Sequence, residues 1–207
     1  RLVGSEMCIR DRNSKARRSC QTAMYHMVKA MCLWLAPILS FTAEEIWQYI
    51  PHQSSGSIFL GQWYNDFPAL PKVDVAIWEK LQALRDEVNK ALEIKRQQGI
   101  IGSGLAAAVT LYIHPQDRNW LQNYASELKF FFITSACDLQ EFADADVDNT
   151  YFAEDLHIRI GVAAISDEKC ERCWHRHTSV GLDKEHPSLC HRCVDNISGK
   201  DELRQMI

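Results

Sequence analysis

The first apolar pattern along the chain has helical spacing and covers residues 24–35. Its members recur every three or four positions and are Met24, Met27, Val28, Met31 and Leu35. This spacing predicts an amphipathic helix, of the kind whose apolar stripe usually packs on a core, and Pro37 is expected to end or bend it. Trp34 and Trp47 lie beside apolar runs and are also expected in a core.

A second helix is predicted to begin at Thr42, because Glu45 three residues later completes a capping box, and to end at Pro51. Residues 52–72 combine proline, glycine and serine with scattered aromatic rings. This composition predicts a long irregular connection that its rings hold in place. The rings are Phe59, Trp63, Tyr64 and Phe67.

A longer helix is predicted after this connection. Its apolar stripe consists of Ile77, Leu81, Leu84, Val88 and Leu92. Charged residues occupy the other faces of this helix. Gly99 is the expected stop, because glycine readily adopts the left-handed conformation that ends many helices.

Beyond the long helix the apolar period shortens to two. Alternation over residues 109–113 predicts a half-buried strand, and Pro115 is expected to open a short helix. That helix would carry Trp120, Leu121, Tyr124 and Leu128. Two more strands are predicted at residues 130–133 and 158–162, separated by the acidic stretch 141–148.

The change of period divides the chain into parts. A mainly helical part at residues 13–99 precedes a small α/β part at residues 100–166, and a cysteine-containing module and tail occupy residues 167–207. The predicted fold class is therefore α+β. Residues 1–12 have neither helical nor strand periodicity and are interpreted as a non-family or artefactual segment.

Composition narrows the class of protein. A hydrophobic fraction of 46% with 24% charged residues indicates a folded globular chain rather than a disordered one. No run approaches the 18 or so apolar residues of a membrane span, so a membrane is not an expected partner. The formal net charge is −4. Any contact with nucleic acid must therefore come from a local basic patch.

Two Cys-x-x-Cys pairs carry the strongest chemical signal. The pairs are Cys170 with Cys173 and Cys190 with Cys193, separated by sixteen residues, a spacing typical of four-cysteine zinc sites. Four thiolates complete a tetrahedral shell and leave no position for a catalytic water, so the pattern predicts one structural Zn²⁺. Disulfides or a lost metal are the alternatives. Three isolated cysteines are expected to be small buried hydrophobes in a reducing cytoplasm: Cys20, Cys32 and Cys137.

Basic and aromatic residues surround the predicted ligands. They include Arg172, Trp174, His175, Arg176, His177, His191 and Arg192. Cationic groups beside an aromatic ring suit phosphate contact and stacking on an unpaired RNA base. Alternatively, Trp174 packs under the cysteines, the cations are solvated, or a histidine replaces a thiolate. Arg17 and Arg18 in the first helix could contact phosphates or only water.

The cysteine module resembles the C-terminal zinc finger of bacterial isoleucyl-tRNA synthetases, in the strings KCERCWH at residues 169–175 and LCHRCVDNI at 189–197. Three earlier strings look like successive parts of the same family: ARRSCQTA at 16–23, LAPILSFTAEEIW at 35–47 and GSGLAAAVTL at 102–111. The second of these strings is shared among several class I synthetases, whereas the finger and the third string indicate the isoleucine-specific family among them. Gly104 and Ala106 depart from the family, which more often has Ser and Glu there.

The resemblance implies the tRNA-binding C-terminal part of isoleucine–tRNA ligase, an enzyme that joins isoleucine to its tRNA with ATP and Mg²⁺. The His-Ile-Gly-His and Lys-Met-Ser-Lys-Ser signatures of the catalytic core are absent from the sequence. The implied piece therefore has no catalytic residue, recognises the anticodon stem-loop of tRNA(Ile), and forms no aminoacyl-adenylate. A cytoplasmic, monomeric parent enzyme is implied, with neither DNA nor a membrane as partner.

Two other classes of protein compete with this interpretation. A DNA-repair glycosylase has a similar finger, but it would need an N-terminal catalytic proline and a helix–two-turn–helix, which this sequence lacks. A free-standing RNA-binding or interaction module would need a start codon just upstream of residue 13. An upstream reading frame with a His-Ile-Gly-His motif would exclude that module.

Overall fold

A computed structural model describes residues 15–52, 55–68 and 75–200 of the chain. Its contacts divide the chain into two compact units, and residues 15–68 lie in one while residues 75–200 lie in the other. The predicted segment 1–12 lies outside the described residues.

The first unit contains two helices, as predicted. Helix α1 covers Lys15–Leu35 and helix α2 covers Ser40–Tyr49. Because α1 begins at Lys15, the predicted phosphate contacts Arg17 and Arg18 lie in its first turn. The predicted capping box is wrong: α2 begins at Ser40, and no side chain caps it. The neighbouring Glu44 instead accepts hydrogen bonds from the backbone N–H of Ile58 at 2.9 Å and from a serine hydroxyl.

The core of the first unit combines four small side chains with four large ones. Its buried residues are Ala30, Cys32, Ala36, Ala43, Trp47, Ile50, Ile58 and Tyr64. The prediction for Trp47 is confirmed, whereas that for Trp34 is wrong because this ring is 38% exposed. The apolar stripe predicted for α1 also lies outside this core, since Met27 and Met31 are more than half exposed.

The connection after α2 is held by two buried side chains rather than by all of its rings. A short 3-10 turn at Ile58–Leu60 buries Ile58, and Tyr64 is buried further along. Trp63 and Phe67 remain half exposed or more, although both rings lie against Trp34. Residues 53–54 and 69–72 of the predicted connection lie outside the described residues.

The second unit opens with the predicted long helix and continues as a mixed sheet. Its elements are α3 (Val75–Gln97), β1 (Ala107–Ile113), α4 (Pro115–Gln122), α5 (Leu128–Phe132), β2 (Ala136–Glu141), β3 (Thr150–Ala153), β4 (Ile158–Ala164) and α6 (His191–Ile197). The strand order is β2-β1-β4-β3; β1 and β2 are parallel, and the other neighbours are antiparallel. The predicted α+β class is confirmed.

Strand predictions succeeded where alternation was clean and failed where it was not. The strands predicted at 109–113 and 158–162 are confirmed as β1 and β4. The strand predicted at 130–133 is wrong: these phenylalanines belong to helix α5, whose Leu128 and Phe132 share the buried face one turn apart. Tertiary packing of that face overrides the β preference of the rings. Strands β2 and β3 were not predicted.

The core of the second unit lies between α3 and the sheet. The predicted stripe of α3 is confirmed, because Leu81 and Val88 are fully buried against strand residues such as Leu111. Gly99 follows α3 with φ +73°, as its predicted role as a stop requires. The contacts therefore group α3 with the sheet, whereas the sequence analysis placed it with the first helices. Within the described ranges, no helix has both the length and the apolar character needed to cross a bilayer.

Candidate functional site

The first Cys-x-x-Cys pair lies in a tight knuckle between two short extended segments. Lys169 and Arg176 form an antiparallel bridge across it. The backbone N–H of Cys170 donates to the carbonyl of His175 at 2.9 Å, and Trp174 donates back to Cys170 at 2.9 Å. Trp174 has φ +69°, a left-handed conformation that costs a non-glycine residue about 1–2 kcal/mol. The two backbone hydrogen bonds hold it there.

The second pair lies at the start of helix α6. Cys190 is the N-cap of this helix, and Cys193 donates its N–H to the carbonyl of Cys190 at 2.9 Å. The N–H of Cys190 donates to the Sγ of Cys170 at 3.3 Å. A backbone amide thus links the second pair directly to a sulfur of the first.

The structure brings the four cysteines together. All four Sγ atoms lie within 4.8 Å of one another, and those of Cys173 and Cys190 are 3.7 Å apart. A tetrahedral Zn²⁺ with bonds of about 2.3 Å requires sulfurs about 3.8 Å apart. Cys170 and Cys193 are fully buried, and Cys173 is the only partly exposed member of this set. The donor set and its spacing therefore fit a closed four-thiolate zinc centre.

Hydrogen bonds among the four sulfurs indicate that a bound cation would stabilise their thiolate forms. Hydrogen bonds from Cys173 and Cys193 lower the pKa of Cys190. The hydrogen bond with Cys190 raises the pKa of Cys173 to about 12. Several thiolates cannot be charged so close together unless a positive ion compensates them.

Among the described residues, the remaining cysteines and the histidines lie outside this cluster. Cys32 is buried, and Cys20 and Cys137 are half-buried; burial raises the pKa of Cys137 to about 12, which makes it an inert thiol. His175 is buried with its ring edge-on to Phe130. His177 and His191 accept or pair elsewhere, the latter with Asp195 at 3.1 Å.

The ring of Trp174 is not part of the small core around the cysteines. That core is completed by Val180 and Leu189, while Trp174 is 46% exposed. The ammonium Nζ of Lys169 lies 4.6 Å from the centre of its ring, within cation–π distance. An exposed ring of this kind can stack on an unpaired base, while the neighbouring cation neutralises the phosphate of the same nucleotide.

The predicted arginines occupy different environments. The guanidinium of Arg176 donates to the carbonyl of Asp167 at 2.7 Å, so it helps to fold the module itself. Arg192 lies over the ring of Phe130, 4.3 Å from its centre, and Arg172 is half-buried in the first knuckle. Arg17 and Arg18 lie on α1, which belongs to the other compact unit.

A groove of about 580 Å³ borders Trp174 within the second unit. Most of its polar lining was not predicted from the sequence. The lining comes from α3 and from the first knuckle and includes Arg85, Asn89, Glu93, Arg96 and Lys169. Arg96 is paired with Glu93 through two hydrogen bonds, whereas Arg85 lies 5.4 Å from the centre of the Phe131 ring. The only sequence signal for this groove was the presence of charged residues on the outer faces of α3.

Comparison with known families defines the class of protein. Residues 6–111 match the family described as the anticodon-binding domain of tRNA ligase. Residues 167–196 match a zinc finger found in FPG and IleRS. The chain therefore belongs to the family of anticodon-binding domains of tRNA ligases. The anticodon-domain match bears against the glycosylase interpretation, which the finger alone could not exclude.

Individual relatives place the chain more closely. It is 52% identical over 199 residues to isoleucine–tRNA ligase of Legionella pneumophila (strain Lens), covering 95% of this chain and 21% of that protein. It is 45% identical over 196 residues to the isoleucine–tRNA ligase of Azotobacter vinelandii and 44% identical over 195 residues to that of Pseudomonas putida (strain W619). The chain spans about a fifth of the length of these curated relatives.

Proposed function

We propose that this chain is the tRNA-binding C-terminal part of an isoleucine–tRNA ligase, where it recognises the anticodon stem-loop of tRNA(Ile). The observation that carries the proposal is the family match combined with similarity to isoleucine–tRNA ligases over 95% of the chain. The parent enzyme is a cytoplasmic monomer that uses ATP and Mg²⁺ to attach isoleucine. Its catalytic residues lie in the part of the ligase outside this match.

One Zn²⁺ in the proposed centre is held by Cys170, Cys173, Cys190 and Cys193. The proposal is supported by the mutual distances of their sulfurs and by the zinc-finger match. The metal has no catalytic role, because four thiolates leave no open coordination position. It fixes the knuckle that presents Trp174 and Lys169 to the groove.

The groove beside Trp174 is the proposed place for an unpaired nucleotide of the anticodon loop. Its size suits one base with its phosphate, and Arg85 and Lys169 supply positive charge. Arg172 and Arg192 lie on the same module and would extend the phosphate contacts. Arg17 and Arg18 are proposed to contact the stem, whereas Arg176 is committed to its own backbone partner.

The proposed division of labour uses binding energy far from the reaction. Contacts to the anticodon position the acceptor end of the tRNA, and such remote binding can lower the barrier at the reacting centre. The proposed domains are a helical anticodon-binding domain at residues 13–99, a junction at 100–166, and a finger with its tail at 167–207. Neither DNA nor a membrane is a partner.

Binding to tRNA tests the proposal. The isolated chain should bind tRNA(Ile) more tightly than the same tRNA with an altered anticodon, as measured by fluorescence anisotropy at fixed salt. Trp174→Ala should weaken binding to tRNA(Ile) about tenfold, because one stacked base contributes about 1–3 kcal/mol. Leu182→Ala removes an apolar side chain that is 77% exposed in the same module and is the matched control.

Equal affinity for the two tRNAs would contradict anticodon recognition. Equal losses in Trp174→Ala and Leu182→Ala would contradict the stacking role of Trp174. Isoleucine-dependent pyrophosphate exchange by the isolated chain should be undetectable, since the groove and the metal centre contain no catalytic machinery for adenylate formation. Turnover in that assay would overturn the proposed division between this chain and the catalytic part.

A further inference from the structure

Helix α1 exposes a continuous apolar stripe. Its members are Met24 (45% exposed), Met27 (58%), Val28 (36%), Met31 (55%), Trp34 (38%) and Leu35 (36%). The stripe continues beyond the helix into Ile38, which is 77% exposed. Folded monomers rarely leave a contiguous apolar surface of this kind uncovered.

The packing of α1 is the reverse of that in an ordinary surface helix. It turns small residues, Ala30, Cys32 and Ala36, into the core of its own unit. The large apolar residues of the stripe are exposed, whereas Tyr25 and Leu33 are partly buried against that core. A helix that is apolar on both sides belongs in the interior of a larger bundle, with one face for each of two neighbours.

The chemistry of the stripe identifies a protein partner rather than RNA. Between residues 24 and 35 the only side chain with a formal charge is Lys29. Its ammonium lies over the rings of Tyr25 and Tyr64, 5.6 Å from each ring centre, on the side of the helix that faces the unit's own core. An RNA surface would require phosphate-neutralising cations along the stripe. A three-to-four-residue apolar spacing is instead the seam that a second helix fills by ridge-and-groove packing.

A large amount of polypeptide exists to supply that helix. In the relatives, about four-fifths of the ligase lies outside the region matched here. We propose that the stripe of α1 is an intramolecular docking surface that an amphipathic helix from this remaining part of the ligase covers. The inference rests on the proposed function, because it requires the chain to belong to a ligase.

Methionine oxidation provides a direct test, since Met24, Met27 and Met31 all lie on the stripe. Two proteins would be treated with hydrogen peroxide and analysed by mass spectrometry: the isolated chain, and the full-length Legionella pneumophila (strain Lens) ligase with this chain in place of the matched region. We expect the three methionines to oxidise about tenfold or more slowly in the full-length protein, because a docked helix would make them accessible only through local opening.

Charge substitution adds an independent measurement. Met27→Asp with Met31→Asp should lower the melting temperature of the full-length protein by about 3 °C or more, yet leave that of the isolated chain unchanged. Thr22→Asp is the matched control on the opposite face of α1, where Thr22 is exposed. This control substitution should leave the melting temperatures of both proteins unchanged. Oxidation rates in the unsubstituted proteins remain informative even if the double variant does not fold.

Each alternative occupant has its own result. Equal oxidation rates in the two proteins would overturn the proposal. Concentration-dependent protection of the isolated chain would assign the stripe to a second copy, and concentration-independent protection would assign it to the chain's own second unit; either result overturns the proposal. The assay contains no tRNA, so failure of anticodon recognition and failure of helix docking are separable.

Discussion

The two compact units differ in where they place their large apolar side chains. The unit of α1 and α2 buries three alanines and a cysteine beside Trp47, Ile50, Ile58 and Tyr64, and it leaves the methionines of α1 exposed. The unit of α3 and the sheet buries leucine, valine and isoleucine in one continuous core. This difference shows that helical periodicity reveals an apolar face without revealing whether the chain itself covers that face.

The largest expected effect concerns the cysteine module. Cys193→Ser removes a buried proposed ligand, and we expect loss of bound zinc together with loss of the module's fold, because metal binding supplies about 10–16 kcal/mol in comparable peptides. Plasma mass spectrometry for zinc and near-ultraviolet circular dichroism measure the two changes. Cys20→Ser, outside the cluster, should retain one equivalent of zinc. A Cys193→Ser variant that retains its zinc would contradict the four-cysteine assignment.

A pair of helix substitutions tests the comparison itself. Leu84→Ala in α3 should reduce the free energy of unfolding by about 2–5 kcal/mol, because it leaves a cavity in the core. Met31→Ala in α1 should change it by less than about 0.5 kcal/mol in the isolated chain, since this side chain is 55% exposed. Urea unfolding followed by circular dichroism measures both. Equal losses would mean that the chain itself covers the stripe of α1.

A smaller effect concerns the contact between α3 and β3. Tyr151 donates its hydroxyl to Glu87 at 2.7 Å, and Lys90 pairs with the same carboxylate at 2.6 Å. The hydrogen bond from Lys90, and then that from Tyr151, hold the pKa of Glu87 below its ordinary value of 4.5. A lowered folded-state pKa contributes stability above pH 4.5, and this contribution disappears as the pH falls through the lowered value.

We therefore expect Glu87→Gln to be slightly less stable than the unsubstituted chain at neutral pH. The difference should shrink as the pH falls below 4.5, because the native carboxyl then takes up a proton. Urea unfolding at a series of pH values measures it. Glu79→Gln, which replaces an exposed carboxylate on the same helix, is the control. A difference that grows on acidification would contradict the assigned sign.

Much of the fold could be predicted from short-range features of the sequence. The stripe of α3 needed only its own spacing, and Gly99 and Pro115 marked boundaries through properties of single residues. The strand prediction at residues 130–133 failed at the three phenylalanines. Their β preference was outweighed by the burial of Leu128 and Phe132 on one side of a helical turn. Strand β2 pairs in parallel with β1, and its alternation is too polar to be seen without that neighbour.

The candidate site divides in the same way. By itself the sequence determined the four cysteines and their pairing into knuckles, because ligand type and spacing are local properties of the chain. Only tertiary structure brought Arg85 and Asn89 of α3 to the same groove as Trp174, since these residues are more than eighty positions apart. Only tertiary structure, too, left the stripe of α1 uncovered. Apolar spacing fixes a helix face, but its burial depends on which neighbours pack against it.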